Sequence, residues 1–159
     1  MIIKVDGHSR TKAPAAPEKV TMRKMSDIIR KQEPVILPPQ ASVKQACELM
    51  RDHRIGAILV AKEDRRLLGI FTGRDAVCRV LAEGRTAADT TLAEVMTPRP
   101  HTMPPGKTAI EALRLMLGCG CRHLPVVENG TIVGVVSRWD FQGHEQVRLD
   151  EETGIWERI

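Results

Sequence analysis

The chain has 159 residues, 42% of them apolar and 3% aromatic, with 24 Lys and Arg against 20 Asp and Glu. A chain of that size can bury about 70% of its unfolded surface, so a core can form without disulfide staples. No apolar run approaches the roughly 20 residues of a membrane span, and residues 1–24 lack the apolar centre of a secretory signal. The expectation is a soluble, cytoplasmic protein with no membrane partner.

Residues 1–24 carry Lys4, Arg10, Lys12, Lys19, Arg23 and Lys24 against Asp6 and Glu18, which accounts for the whole net charge of +4. This segment, with Thr11 to Lys19 containing much of its Pro and Ala, reads as a basic, mobile, solvated arm. Duplex-binding proteins usually show a basic face on the folded body as well, and here the remaining body is neutral overall, so a nucleic acid is not the expected partner.

Beyond the arm, Pro34 to Pro38 reads as a short strand. Ser42 is an N-cap candidate for a helix with Val43, Ala46, Cys47, Leu49 and Met50 on one face, ending between His53 and Gly56. Strands at Ala57–Ala61 and Leu67–Phe71 flank the charged turn Lys62 to Arg66, and a helix follows from Gly73 to Glu83. Residues 84–91 make a linker. A strand at His101–Met103, a helix at Lys107–Leu117, strands at Leu124–Val127 and Ile132–Val136, and a helix from Arg138 complete the series. The tail from Phe141 to Ile159 sets Val147, Leu149, Ile155 and Trp156 among charges and fits either packing or a free end.

That series is one pattern written twice. Ala46, Leu49 and Met50 align with Ala112, Leu115 and Met116, and Gly69 and Asp75 align with Gly134 and Asp140 after one deletion. The deletion falls between the two apolar strands of the second copy, where a turn can lose a residue. Each copy has about sixty residues, too few for a comfortable core alone, so the two copies should pack together as one domain.

The motifs Val95-Met96-Thr97-Pro98, Arg122-His123-Leu124-Pro125-Val126-Val127 and Gly134-Val135-Val136-Ser137 with Asp140 resemble those of a CBS (cystathionine beta-synthase type) domain. The first copy is similar but less complete: it keeps Gly69-Ile70-Phe71-Thr72 and Asp75 and has Leu59 where the second has Pro125. The resemblance implies an α+β Bateman module of two intertwined repeats, each strand-helix-strand-strand-helix, with a pseudo-twofold axis and pairing into a disk-shaped homodimer. Its divisions are an arm at 1–24, repeat 1 at 25–83, the linker at 84–91, repeat 2 at 92–145 and a tail at 146–159.

Thr72 and Ser137 stand at strand-to-helix junctions, where a hydroxyl and unpaired backbone N–H groups favour an anion such as phosphate. Asp75 and Asp140 follow three residues later. The resemblance implies that each carboxylate accepts hydrogen bonds from the two hydroxyls of a ribose. The plain alternative is a capping box worth about 1 kcal/mol with no further role, and it weakens when the pattern occurs twice. The resemblance also implies that Arg122 and His123 reach the Asp75 site, whereas Gly56 and Ala57 serve Asp140. An Arg can hold phosphate bidentately and Gly and Ala cannot, so a phosphate-rich nucleotide should prefer Asp75. Arg74 and Arg138 are further candidates for phosphate. Trp139 fits a base or nicotinamide ring as well as packing against a partner chain.

Cys119-Gly-Cys121-Arg-His123 offers three soft or borderline ligands but no fourth, and zinc sites usually space their cysteines more widely, so no metal is expected and all four cysteines read as reduced thiols. The methionines read as core fillers, and His8, His53, His101 and His144 as surface residues. No convergent nucleophile and base are evident, so an enzyme is not expected, and no catalytic cofactor with it. The expected function is a free-standing regulatory module that binds AMP, ATP or NAD(H) between its repeats and signals by a change of shape to an effector protein. The alternative is an interaction or nucleic-acid-associated protein acting through its basic arm. A cysteine-based redox protein is a third reading.

Overall fold

The structure is a computed structural model in which residues 22–153 are described. Most of the basic arm, with Thr11 to Lys19, and the tail residues Ile155 and Trp156 lie outside them. The first repeat forms β1 (Ile36–Leu37), α2 (Val43–His53), β2 (Ala57–Ala61) and β3 (Leu67–Thr72), preceded by a short helix α1 (Met25–Ile29). A helical turn α3 (Gly73–Asp75) then passes into a π-helix at Ala76–Leu81. The second repeat follows α4 (Leu92–Val95) and β4 (Thr97–Pro98) with α5 (Ala109–Cys119), β5 (His123–Glu128), β6 (Thr131–Ser137) and α6 (Gly143–Thr153). The fold is α+β, as expected.

The duplication is visible in hydrogen bonds. β2 and β3 are antiparallel with a register shift at Val60/Ala61, and β5 and β6 repeat this with a shift at Val126/Val127. The deletion falls in the hairpin turns: Ala61 pairs with Leu67, and Val127 with Ile132 across one residue fewer. Asn129 and Gly130, at φ 51° and 82°, give the shorter turn the left-handed pair that a tight hairpin needs. The two hairpins meet at their ends through Leu67 N–H to Gly130 O (3.4 Å) and Ile132 N–H to Arg65 O (3.0 Å).

The short helices are exchanged between repeats. α1, at the start of repeat 1, packs on β6, burying Met25 and Ile29 with Leu113, Met116, Leu124 and Val136 of repeat 2. α4, at the start of repeat 2, joins Leu92 and Val95 to Val43, Ile58, Val60 and Phe71 of repeat 1. Gly69 and Gly134 make room for this exchange. A Cβ on Gly69 would lie 2.5 Å from Met96 Sδ and 2.8 Å from Thr97 O, and one on Gly134 would lie 2.7 Å from Ile29 Cβ. Gly134→Ala is therefore expected to destabilise the protein by about 1–3 kcal/mol through overpacking, read as a lower urea midpoint with the m-value unchanged.

Four sequence expectations change. The strand at His101–Met103 shrinks to a single parallel bridge from Met103 to Val126. In repeat 1 the Leu59 N–H donates to Val35 O at 3.1 Å, but Pro125 holds the equivalent place and has no N–H to give. The helix expected from Gly73 to Glu83 ends at Leu81, and all of it after Asp75 is π. No single helix runs on from Arg138: Arg138–Asp140 is a 3-10 turn, Phe141 is extended and packs into the repeat 2 core, and α6 starts only at Gly143. Because α6 runs through residue 153 and buries Leu149 in that core, it crosses the expected tail boundary at 146.

The expected arm also ends earlier than Lys24. Arg23 O accepts from Ala109 N–H at 2.8 Å, and Met25 N–H donates to Lys107 O at 2.8 Å. The Arg23 guanidinium forks onto the Glu145 carboxylate through Nε (2.9 Å) and Nη2 (2.7 Å), and Nη2 also donates to Asp140 O at 3.0 Å. Glu145, only 2% exposed, accepts the Gln142 N–H as well (2.7 Å). Burial alone would raise this carboxyl, but the Arg23 and Gln142 hydrogen bonds and the charges of Arg23 and His144 outweigh it and hold it below its usual range.

Candidate functional site

Two clefts lie where the repeats meet, one for each aspartate. Both depend on the junction at which a strand stops and a helical turn begins, because there the backbone N–H groups have no partners further up the turn. In repeat 1, Thr72 N–H and Oγ1–H donate to Asp75 Oδ2 at 2.9 and 3.0 Å. In repeat 2, Ser137 N–H donates to Asp140 Oδ2 at 2.6 Å. The capping boxes are thus real. Each uses one carboxylate oxygen, and an ionised carboxylate has acceptor sites on both. Asp75 Oδ1 faces Arg79 Nε at 3.6 Å, and Asp75 is 8% exposed.

The first cleft, about 1140 Å³, contains Thr72, Arg74, Asp75, Arg122 and His123. The second, about 790 Å³, contains Ser137, Arg138, Trp139, Asp140 and again Arg122 and His123. All nine residues singled out in the sequence line one cleft or the other, and Arg122 and His123 line both. Gly56 and Ala57 lie in the Asp140 cleft, as the pairing of the repeats implied. His123 packs so closely on Gly56 that a Cβ there would meet His123 Nε2 at 2.9 Å, which places its ring on the wall between the clefts. Trp139 stands at the rim, 95% exposed.

The clefts differ in charge. Arg74, Arg79, Arg99 and Arg122 stand around Asp75 with no second carboxylate. The Asp140 cleft has Arg54, Arg122 and Arg138 but adds Glu33 to its aspartate. Gln32 Oε1, on its wall, is a buried acceptor without a hydrogen-bond donor. Sequence reasoning missed Arg79, Arg99 and Arg54, and treated His53 and His101 as ordinary surface residues although each lines a cleft. The repeat alignment held a signal: His53 and Arg54 precede Gly56 in one copy as Cys119 and Gly120 precede Arg122 in the other.

Burial lowers the pKa of His123, Asp140 opposes this, and Arg122 adds to the lowering. A histidine that resists protonation in the folded state costs stability as pH falls through the unfolded value near 6.5, since the unfolded chain then binds the extra proton. We expect His123 to be less than half protonated at pH 6.5 in a histidine-resolved NMR titration. Half-protonation at or above 6.5 would contradict this.

Cys119 and Cys121 are joined by a disulfide, so the expectation of four reduced thiols is corrected; Cys47 and Cys78 are free. The two sulfurs sit on either side of Gly120, whose left-handed φ of 64° caps α5 and turns the side chains of its neighbours together. Among the described residues no group of three or more His, Cys, Asp or Glu is placed to hold a metal, and no helix is long and apolar enough to cross a membrane.

The CBS domain family model matches residues 25–81 and 92–144. The chain belongs to the CBS domain family. The CBS domain-containing protein YhcV of Bacillus subtilis is 33% identical over 120 residues, covering 76% of this chain and 84% of its own. The chain spans only about a fifth of the length of the CBSCBSPB proteins of Arabidopsis thaliana that it also matches, as with CBSCBSPB3 at 34% identity over 80% of this chain and 22% of that one. Among solved structures, the CBS-domain protein ATU1752 of Agrobacterium tumefaciens superposes with a TM-score of 0.68 at 30% identity, covering 74% of this chain and 94% of that one. The CBS domain protein PAE2072 of Pyrobaculum aerophilum, complexed with AMP, gives 0.72 at 24% identity, covering 80% and 98%, and supports the fold.

Proposed function

We propose that this CBS pair binds adenine nucleotides in its two clefts, with a phosphate-rich one such as ATP favoured beside Asp75, and passes the resulting change of shape to a protein partner. The observation that carries this is the Asp75 cleft itself: four arginines around one buried carboxylate at a strand-to-helix junction. The carboxylate suits ribose hydroxyls, and the guanidinium forks suit phosphate oxygens. The AMP carried by the PAE2072 structure agrees with an adenosine-type ligand. In the Asp140 cleft, an adenine amino group would supply the donor that Gln32 Oε1 lacks, and Trp139 is free to cover a ring.

The residues that line the clefts suit binding and orienting a ligand, and the output in this reading is a conformational signal. That signal requires the nucleotide to bind one arrangement of the repeats better than another. Val77, Leu81, Leu117 and Val147 are large apolar side chains left exposed on helices, which suits pairing with a second copy.

The test is calorimetric titration of ATP and AMP into nucleotide-stripped protein and into Arg122→Ala. Loss of one charge-assisted phosphate contact should weaken ATP about tenfold or more and AMP less. Equal weakening of both would remove Arg122 from the outer phosphates, and no binding of either by folded wild-type protein would reject the reading.

A further inference from the structure

Three of the four cysteines line the Asp75 cleft: Cys119 and Cys121, which form the disulfide, and Cys78, which is exposed on the π-helix. We propose that Cys119 and Cys121 are a reversible redox couple that controls this cleft, with the oxidised form holding Arg122 ready for a phosphate-rich ligand. The consequence for ligand affinity rests on the nucleotide reading above; the couple does not.

Position supports the couple. Cys121 N–H donates to Met116 O at 3.1 Å and Gly120 N–H to Leu117 O at 3.4 Å, so the bridge closes over the capped end of α5 and joins it to the start of β5. Cys121 is partly buried against the repeat 2 core, and the next residue, Arg122, projects into the cleft while its carbonyl accepts from Arg138 N–H at 3.0 Å. Fixing Cys121 to the helix end restricts the backbone that carries Arg122, and a preorganised arginine loses less freedom when phosphate arrives. Both sulfurs lie on half-buried residues that a small thiol can approach. Cys47, partly buried against the repeat 1 core and outside the Asp75 cleft, has a thiol pKa pushed up by burial, which makes it a poorer thiolate.

The bridge is built into one repeat only. The corresponding residues in repeat 1 are His53, Arg54 and Ile55, which cannot bridge; the three cysteines lie on the Asp75 side, although Arg122 itself lines both clefts. The chemistry is thiol–disulfide exchange with a low-molecular-weight thiol such as glutathione. Two reduced glutathione molecules break the Sγ–Sγ bond through a mixed disulfide, giving two protein thiols and one oxidised glutathione; the reverse restores the bond.

The test equilibrates the full chain in glutathione buffers of graded ratio, alkylates free thiols, and locates them by peptide mass. ATP is then titrated by calorimetry into the two end states of wild type, Cys119→Ser/Cys121→Ser and Cys78→Ser. Expected, with alkylation carried out after unfolding in denaturant, are Cys119 and Cys121 protected together and reversibly in oxidising buffer while Cys47 and Cys78 remain outside any protein disulfide. ATP should bind the oxidised form at least threefold tighter, with the difference lost in the double variant and kept in Cys78→Ser. Four free thiols in every buffer would overturn the couple. Equal ATP affinity in both forms would overturn its control of the cleft. Failure of ATP to bind either folded form would sink the nucleotide reading and the control with it, while the thiol pattern still decides the couple.

Discussion

Arg23→Ala is expected to destabilise the protein by about 3–5 kcal/mol, because it removes the partner of a carboxylate that has almost no access to water. Glu145 is 2% exposed and takes both prongs of the Arg23 fork. The same fork closes on Asp140 O and leads directly into α1, whose Met25 and Ile29 fill the repeat 2 core. The pH dependence separates this from a general loss of packing. The native Glu145 carboxyl sits below its ordinary 4.5, so its contribution is present above that value and is lost as pH falls through the lowered one. Without Arg23, burial is opposed only by the Gln142 N–H and the His144 charge, so the carboxyl moves up, and the variant is least penalised when Glu145 is protonated. The stability gap between wild type and variant, from urea unfolding, should therefore be widest near pH 7 and narrow towards pH 4. A constant gap would mean that Arg23 acts through its aliphatic stem alone.

The parts of this molecule that were legible in the sequence are those fixed by local pattern. Apolar runs on either side of a charged turn gave β2 and β3, and Ser42 caps its helix from the expected place, while the helix expected from Lys107 starts at Ala109 with Thr108 as its cap. Repetition then told where Asp75 and Asp140 stand. What was not legible depends on contacts far apart in the chain. Residues 25–29 and 92–95 are too short to declare a period, and the exchange that pairs Met25 with Leu113 exists only once both repeats have folded. Arg79 and Arg99 reach the Asp75 cleft for the same reason. Two misses did have a local signal. Pro125 lacks the N–H that a strand at His101–Met103 would need, and Phe141 is a large apolar residue that gains more by leaving the helical path for the core. The disulfide was missed because chain length removed the need for one, while the left-handed Gly120 that brings the two sulfurs together became visible only in the backbone.

Asp75→Asn carries the other large effect, on binding. The substitution keeps an oxygen for Thr72 N–H and the size of the side chain, but it replaces a charged acceptor with a neutral amide that cannot accept from both ribose hydroxyls. A hydrogen bond to a charged group contributes about 1.5–3 kcal/mol, which corresponds to roughly 10- to 150-fold in affinity. Asp140→Asn is the matched control, since it leaves the Asp75 cleft and its four arginines untouched. The decisive measurement is calorimetric titration of AMP into nucleotide-stripped wild type, Asp75→Asn and Asp140→Asn, each checked for native unfolding. A site that weakens at least tenfold in Asp75→Asn and survives in Asp140→Asn is the predicted result. Unchanged affinity in Asp75→Asn, or no heat in the folded wild type, would contradict the assignment of Asp75 as the ribose anchor of a nucleotide sensor.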